Sequence, residues 1–504
     1  MIRLSRIPVM IILMGGSALA MLVPAIHAFL LRDYSVSRAF LYSALIFLIL
    51  TAMIAIASVG NRPRQPARDQ LLTLLGAYAG LPLILAVPFS EAIPDTHFTS
   101  AWWEMISSLT TTGASLYAPD RLEPSLHLWR AMVGWMGGFF VLVTAVAILA
   151  PMNLGGFEVL RDVRPRFSEA GSDHWARQKT ASEQLVAHAA DLLPAYLGLT
   201  LALMIGLVMA GETALVAACH AMSVLSTSGI TPLGGLDEAR SGVLGEALIL
   251  AFMALAVSRR LIPTGHRHVA PGSLREDPEM RMAILLCTAV PALLFLRHWF
   301  GALSVDDVGD IRAAFGALWG TLFTVLSFLT TTGFESAHWM TARNWSGLET
   351  PGLVLAGLAV IGGGVATTAG GVKLLRVYAI FLHGEREVER LIHPNSIGGG
   401  GVLARRLRRQ GARMAWIFFM LFALSIAVTM LALSLAGLNF VQSTTFAVAA
   451  LSTTGPLAGV TAAEPLSWAA LDGPARTILA AAMVLGRLET LAIVALLNPD
   501  FWRN

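Results

Sequence analysis

Four short polar segments of this chain have nearly the same sequence and recur at similar intervals. Each begins with Leu and ends with Gly, and three Ser or Thr residues lie between the two. Each follows an apolar run that is too short to cross a bilayer and precedes a longer one. In chain order, segments 1 to 4 are Leu109–Gly113, Leu225–Gly229, Leu329–Gly333 and Leu451–Gly455. Four copies of one polar hairpin predict four similar walls around a common axis.

Segments of this kind can coordinate a dehydrated monovalent cation. Backbone carbonyl oxygens replace the hydration shell without a fixed charge that would trap the ion. Glycine lacks a Cβ and tolerates positive φ, so it allows several carbonyls to face one axis. Ser and Thr hydroxyls can add ligands, and the C-terminal end of the preceding helix also favours a cation. The predicted cation ligands are the carbonyls around Thr111, Thr112, Gly113, Thr227, Ser228, Gly229, Thr331, Thr332, Gly333, Thr453, Thr454 and Gly455.

A competing interpretation is that small residues in these segments only let helices pack closely. The fourfold repetition, each time after a short apolar run, favours the cation site.

The composition is that of an integral membrane protein. Of the 504 residues, 56% are hydrophobic and 13% are charged, whereas a soluble protein carries roughly twice that charged fraction. The formal net charge of +3 is too small to indicate a nucleic-acid partner. Cys219 and Cys287 lie in apolar runs without motif spacing, so we interpret them as packing residues, and a disulfide or a metal site is not expected.

Apolar runs of about 20 residues predict ten transmembrane helices. They lie near residues 8–31, 39–59, 71–90, 128–150, 186–210, 243–262, 282–300, 352–382, 413–437 and 474–498. A signal peptide is the alternative for the first run, but its length favours a retained helix. Four shorter runs are predicted to be pore helices that enter the membrane and return. These are 98–109, 213–225, 315–329 and 440–451.

The predicted fold class is an all-α integral membrane protein, with four helix–pore helix–helix repeats around a pseudo-fourfold pore. The predicted units are an N-terminal two-helix unit at 1–68 and pore repeats at 69–184, 185–278, 279–410 and 411–504. Arg and Lys concentrate in alternate loops, counted from the N-terminus, so both termini are predicted to be cytoplasmic. Segments 1 to 4 then lie toward the outside.

A glycine-rich run interrupts the eighth apolar stretch. Gly362–Gly371, which we call the glycine-rich loop, would break a helix in mid-membrane. It does not match a phosphate-binding P-loop, because Val372 precedes Lys373 and Leu374 stands where Ser or Thr is needed. We interpret it as a gate beneath segments 1 to 4; close helix packing is the alternative. The predicted gating residues are Gly362, Gly363, Gly364, Thr367, Thr368, Gly370, Gly371, Lys373 and Arg487.

Arg487 lies near the middle of the last apolar run. A charge at that depth is costly unless it faces water or a partner, and Glu489 does not share its helix face. A pore-facing arginine would form a local barrier to cations; the alternative is a buried structural ion pair. Glu104 and His220 lie in the first two pore helices, and we interpret them as structural hydrogen-bonding residues.

These motifs resemble those of the membrane subunit of Trk/Ktr-type potassium uptake systems, and they are most similar to the bacterial Trk branch. The resemblance covers essentially the whole chain. The residues that carry it are Thr110–Ala114, Trp129–Arg130, Gly134–Gly138, Thr330–Phe334, Ala369–Lys373 and Gly486–Glu489.

The resemblance implies potassium uptake across the bacterial inner membrane, without enzymatic activity and without a cofactor besides the transported K+. It implies a selectivity filter with one glycine per repeat, a gating loop at 362–371 and an arginine below the filter at 487. It also implies a homodimer and a cytosolic nucleotide-binding regulatory subunit. The chain departs from the usual family residues at Ser228, Ile230, Thr453, Leu457 and Gly364–Thr367, which bears on potassium selectivity and on gating.

Three alternatives to potassium uptake remain at this point. The first is a sodium or weakly selective cation pathway. The second is a membrane enzyme, which would need an acid–base pair or a metal cluster in one cavity; the sequence offers no such constellation. The third is a membrane scaffold that transports nothing.

Overall fold

The structure is a computed structural model that describes residues 8–58, 66–150, 156–159, 181–262, 276–301, 311–347, 352–393, 409–462 and 464–488. Within these ranges the chain is helical and has no β-strand, as the sequence predicts.

The first apolar run forms two helices that pack on the rest of the protein. The first three helices are α1 (Val9–Ala20), α2 (Leu22–Leu30) and α3 (Tyr34–Ala57). Ser37 of α3 donates a hydrogen bond to the Ala25 carbonyl of α2 (2.9 Å). His27 of α2 is hydrogen-bonded to Ser125 (2.8 Å), so this N-terminal unit is attached directly to the first repeat.

In the first predicted repeat a short buried helix lies between two longer ones, and in the second a buried helix lies between a long helix and a short one. The first repeat has α4 (Pro66–Ala92), α5 (Phe98–Leu109) and α6 (Pro124–Thr144), which continues as a π-helical turn, Ala145–Leu149. The second repeat has α7 (Ala181–Met209), α8 (Ala214–Ser226) and α9 (Gly242–Met253).

The last two predicted repeats follow a similar order with additional short helices. The third has α10 (Pro278–Gly301), α11 (Ile311–Leu329), α12 (Trp339–Ser346), α13 (Gly352–Ile361) and α14 (Leu374–Ile392). The fourth has α15 (Arg409–Leu435), α16 (Phe440–Leu451), α17 (Leu457–Thr461) and α18 (Gly473–Leu488).

The predicted pore helices are present as α5, α8, α11 and α16. Their ends agree with the sequence prediction to within a residue, except that α11 begins at Ile311, four residues earlier than predicted. The start of α16 is fixed by a capping box, in which Asn439 and Gln442 each accept a hydrogen bond from the other's backbone N–H. The leucine that opens each of segments 1 to 4 is buried at the end of its pore helix.

In the described part of the chain, seven helical stretches are long and apolar enough to span a membrane, and α1 and α2 together form one of them. They correspond to seven of the ten predicted spans. The sixth predicted span is shorter than expected, because α9 ends at Met253 and short 3-10 turns follow it. The eighth is divided into α13 and α14 where the glycine-rich loop was predicted. The tenth is described to Leu488, and residues 489–498 of that prediction lie outside the described residues.

The two cysteines are packing residues, as expected. Cys219 of α8 is buried beside Ala131 and Ile230, and Cys287 of α10 is partly buried. Both thiols are free.

Candidate functional site

All four pore helices end in the same backbone cap. In segment 1, the Thr112 N–H donates to the Ser107 carbonyl (2.8 Å) and the Thr111 N–H donates to the Ser108 carbonyl (2.9 Å). This pair of bonds is a Schellman motif, which satisfies carbonyls that a helix end leaves without partners. The outer bond of the motif recurs in segments 2, 3 and 4 as Ser228 to Ser223 (2.9 Å), Thr332 to Ser327 (2.9 Å) and Thr454 to Ala449 (2.8 Å).

The left-handed residue of each cap is threonine, although glycine is usual at that position. A β-branched residue with positive φ is rare and requires support from its surroundings. Besides the leucine and the glycine, this threonine is the one residue that is identical in all four segments. That identity is a sequence signal for the cap, and the sequence analysis did not use it. The four residues are Thr111 (φ 55°), Thr227 (φ 52°), Thr331 (φ 57°) and Thr453 (φ 54°).

Segments 1, 2 and 3 contact one another through their glycines. A Cβ on Gly113 would overlap the Ser228 carbonyl oxygen of segment 2, and a Cβ on Gly229 would overlap the Thr332 carbonyl oxygen of segment 3. Both glycines also have positive φ. A carbonyl of one segment therefore lies against the glycine of its neighbour, and no side chain fits between them.

Segment 4 closes the ring. A Cβ on Gly333 would lie 3.0 Å from Cγ of Pro456, the residue that follows segment 4. The Gly455 N–H donates to the Thr112 carbonyl of segment 1 (2.6 Å). The four segments thus follow one another in cyclic order around a centre. Gly333 has positive φ like Gly113 and Gly229, whereas Gly455 does not.

Each segment is supported by the residue nine positions before its glycine. Glu104 of α5 is fully buried, forms an ion pair with Arg130 (2.7 Å) and accepts a hydrogen bond from the Leu116 N–H (3.0 Å). His220 of α8 is hydrogen-bonded to Thr231 (2.9 Å). Glu104 and His220 therefore hold the chain that leaves segments 1 and 2.

The supports in the other two repeats use different chemistry at the same position. Thr324 of α11 accepts a hydrogen bond from the Ser336 N–H (3.3 Å). Phe446 of α16 packs against Trp468, with ring centroids 4.7 Å apart. The Trp468 indole N–H donates to the Gly455 carbonyl (3.1 Å). The chain that leaves the segment is thus held by a carboxylate in the first repeat, an imidazole in the second, a hydroxyl in the third and an aromatic ring in the fourth.

The glycine-rich loop lies against segments 3 and 4. The Gly370 N–H donates to the Thr331 hydroxyl (2.7 Å), and a Cβ on Gly370 would overlap the Ser452 carbonyl oxygen. Since Thr331 and Ser452 precede the segment glycines, the loop contacts segments 3 and 4 on the side of their pore helices. The loop is closed at its base by the Lys373 N–H, which donates to the Ile361 carbonyl (2.8 Å).

Three side chains from different parts of the chain bind backbone groups of this loop. Arg487, which is mostly buried, donates to the Thr368 carbonyl (2.7 Å). The Lys373 ammonium donates to the Ala369 carbonyl. Glu279 of α10 accepts a hydrogen bond from the Val365 N–H (2.7 Å). The structure therefore brings the predicted gating residues and the predicted cation ligands together.

Glu279 is a residue that the sequence analysis did not identify. It lies 86 residues before its partner in the chain, and in the sequence it looks like an ordinary acid at a helix start. No local pattern could have found it. Glu489, two residues after Arg487 in the sequence, lies outside the described residues.

Comparisons with known proteins give consistent matches. A model of the TrkH family, described as a cation transport protein, matches residues 274–501. The Trk system potassium uptake protein TrkH of Salmonella typhimurium is 30% identical over 98% of both chains, and that of Escherichia coli K12 is equally similar. The crystal structure of the potassium transporter TrkH from Vibrio parahaemolyticus superimposes with a TM-score of 0.81, at 26% identity and over the full length of both chains.

We predict that Glu104→Gln destabilises the protein. Glutamine can still accept the bond from Leu116, but Arg130, which is 4% exposed, would remain buried without its counter-charge. Breaking a buried ion pair in this way costs about 3–5 kcal/mol. Thermal unfolding of the purified protein in detergent should show a lower Tm. Glu123→Gln, at an exposed position before α6, is the matched control. A Tm for Glu104→Gln equal to that of the control would contradict the prediction.

Proposed function

Since this chain belongs to the TrkH family of cation transport proteins, we propose that it mediates potassium uptake across the bacterial inner membrane. Membership of this family makes it a transport protein and not an enzyme. The observation that carries the proposal is the closed ring of four segments, in which carbonyl oxygens lie against neighbouring glycines. The potassium uptake named for its relatives in Salmonella and Escherichia supports K+ as the transported ion.

In this proposal the four segments form the selectivity filter. K+ is the substrate, and the carbonyls around the predicted ligand residues exchange for its hydration shell. Potassium enters along the membrane potential, which supplies about 2.3 kcal/mol per charge for each 100 mV. The same proposal includes the N-terminal unit and the four pore repeats, with the boundaries predicted from the sequence. It also includes the cytoplasmic location of both termini.

The proposed gate is the glycine-rich loop. Its support is the contact of Gly370 with Thr331 and its position beside Ser452, which both precede the glycines of segments 3 and 4. With the cytoplasmic termini proposed here, this is the inner side. Arg487 and Lys373 hold loop carbonyls and place positive charge next to the path. A cation leaving the filter would therefore meet both the loop and these charges, and displacement of the loop would open the way.

We further propose that the chain is the membrane subunit of a larger system. The relatives are named as proteins of the Trk system, which supports a regulatory partner. The resemblance described above specifies that partner as a cytosolic nucleotide-binding subunit and the membrane subunit as a homodimer.

A sodium or weakly selective cation pathway is the alternative within transport. The departures at Ser228 and Thr453 lie inside the ring, and Leu457 follows it. Potassium and sodium fluxes measured on the same preparation separate the two functions.

We predict that the wild-type chain rescues growth of a potassium-uptake-deficient bacterium on limiting K+, and that Gly113→Ser and Gly333→Ser do not. In Gly113→Ser the new side chain would overlap the Ser228 carbonyl, and both glycines have positive φ. Growth is compared at equal abundance of each protein in the membrane.

The control for this growth test is Gly357→Ser, since a Cβ at Gly357 would have no atom within 4 Å. Equal growth of the wild type and both filter variants would remove the filter assignment. If the wild type itself fails to rescue growth, co-expression of a regulatory subunit and a sodium flux assay distinguish a missing partner from a different ion.

We also predict that Glu279→Ala raises cation flux through the purified protein in liposomes by several-fold. The substitution leaves the buried Val365 N–H without its carboxylate acceptor, at a cost of about 1–3 kcal/mol to the observed loop position. Glu276→Ala, at an exposed position three residues earlier, is the matched control. A folded Glu279→Ala protein with unchanged flux would argue against the gating role of the loop.

A further inference from the structure

Pro456 contacts two different segments of the ring. A Cβ on Gly229 would lie 2.9 Å from Pro456 Cγ, and a Cβ on Gly333 would lie 3.0 Å from the same atom. Pro456 directly follows segment 4, whereas Gly229 belongs to segment 2. Segments 2 and 4 are not neighbours in the cyclic order, so Pro456 reaches beyond the adjacent segment 3 to segment 2. The proline ring therefore packs against the glycines of two segments besides the one that it follows.

The proline lies at the opposite end of the segments from the glycine-rich loop. The loop contacts residues that precede the glycines, through the bond from the Gly370 N–H to Thr331. Pro456 comes after Gly455 and packs on the glycines themselves. In the proposed orientation, with the loop on the inner side, Pro456 is on the outer side.

The backbone around Pro456 is fixed on both sides. The Gly455 N–H is bonded to the Thr112 carbonyl (2.6 Å), and the Gly455 carbonyl accepts from Trp468 (3.1 Å). Proline has a fixed φ, here −60°, and helix α17 starts at the next residue, Leu457, which is buried. The proline side chain cannot move away from Gly229 and Gly333 without breaking these contacts.

The chemistry of proline suits a constriction for cations. Proline has no backbone N–H, so it presents no donor dipole to an approaching cation. Its apolar ring atoms also offer no oxygen that could replace hydration water. A hydrated cation would have to lose water molecules as it passes the proline side chain and reaches the carbonyls of the four segments.

We infer that Pro456 forms the outer constriction of the cation pathway and helps to determine which monovalent cations enter. This inference rests on the proposed function. Pro456→Ala removes Cγ, the atom that is nearest to both Gly229 and Gly333, and leaves a residue that readily adopts the same backbone conformation.

The test measures uptake of K+ and Na+ by the full chain in liposomes. For Pro456→Ala we expect the K+/Na+ uptake ratio to fall several-fold, because the substitution removes the ring atom that is nearest to both Gly229 and Gly333. Pro232→Ala, in the chain that leaves segment 2, is the control and should keep the wild-type ratio. An unchanged ratio in Pro456→Ala, alongside a wild type that carries K+, would overturn the inference and leave the proposed function standing.

A second measurement does not depend on how Pro456→Ala folds. Pro456→Cys and Pro232→Cys are made in a chain with Cys219→Ala and Cys287→Ala, and a small thiol-reactive reagent is added from outside after reconstitution. We expect modification to block K+ uptake in Pro456→Cys and to leave Pro232→Cys active. Uptake that persists in modified Pro456→Cys overturns the inference. A wild-type chain that carries no K+ in the presence of its regulatory subunit overturns the proposed function, and the inference with it.

Discussion

Four stretches of backbone must approach one axis inside a membrane, and most of the structure follows from that requirement. Irregular backbone at membrane depth is tolerated only where protein or a water-filled path surrounds it. The pore helices α5, α8, α11 and α16 provide the surrounding protein, because each brings one segment to the centre and ends there. The Schellman caps satisfy the carbonyls at those ends. The carbonyl oxygens of Thr112, Ser228 and Thr332 lie close to the glycines of the neighbouring segments.

The close approach of the segments requires rigid support behind them. Glu104 and Arg130 form a buried ion pair in the first repeat, and Trp468 packs on Phe446 in the fourth. Such supports differ in chemistry but bind the same part of each repeat, the chain that leaves the segment. Because the threonine in each cap has an unfavourable φ, this support also maintains a backbone that the segment would not adopt alone.

Much of this arrangement could be predicted from the sequence, because it depends on local patterns. Apolar runs bounded by polar residues gave the pore helices nearly residue by residue, and the glycine-rich loop was visible as a break between α13 and α14. The left-handed threonines were missed, since propensity alone assigns positive φ to glycine, although the same threonine recurs in all four segments. The true end of α9 was also hidden. Its apolar run continues past Met253, but the Ala256 carbonyl accepts a bond from the Gly364 N–H, so the end of this helix is determined by a distant loop.

The least symmetric part of the ring is segment 4, and its asymmetry has a structural cause. Gly455 lacks the positive φ of the other three glycines, and its N–H is used in a bond to segment 1. The chain then turns at once into Pro456 and α17, where Leu457 is buried. A residue with a side chain at 457 is accommodated because it is buried in the core at a helix start. Three segments can thus repeat one geometry while the fourth closes the ring, and the residue after the closing segment packs a rigid side chain against the glycines of segments 2 and 3.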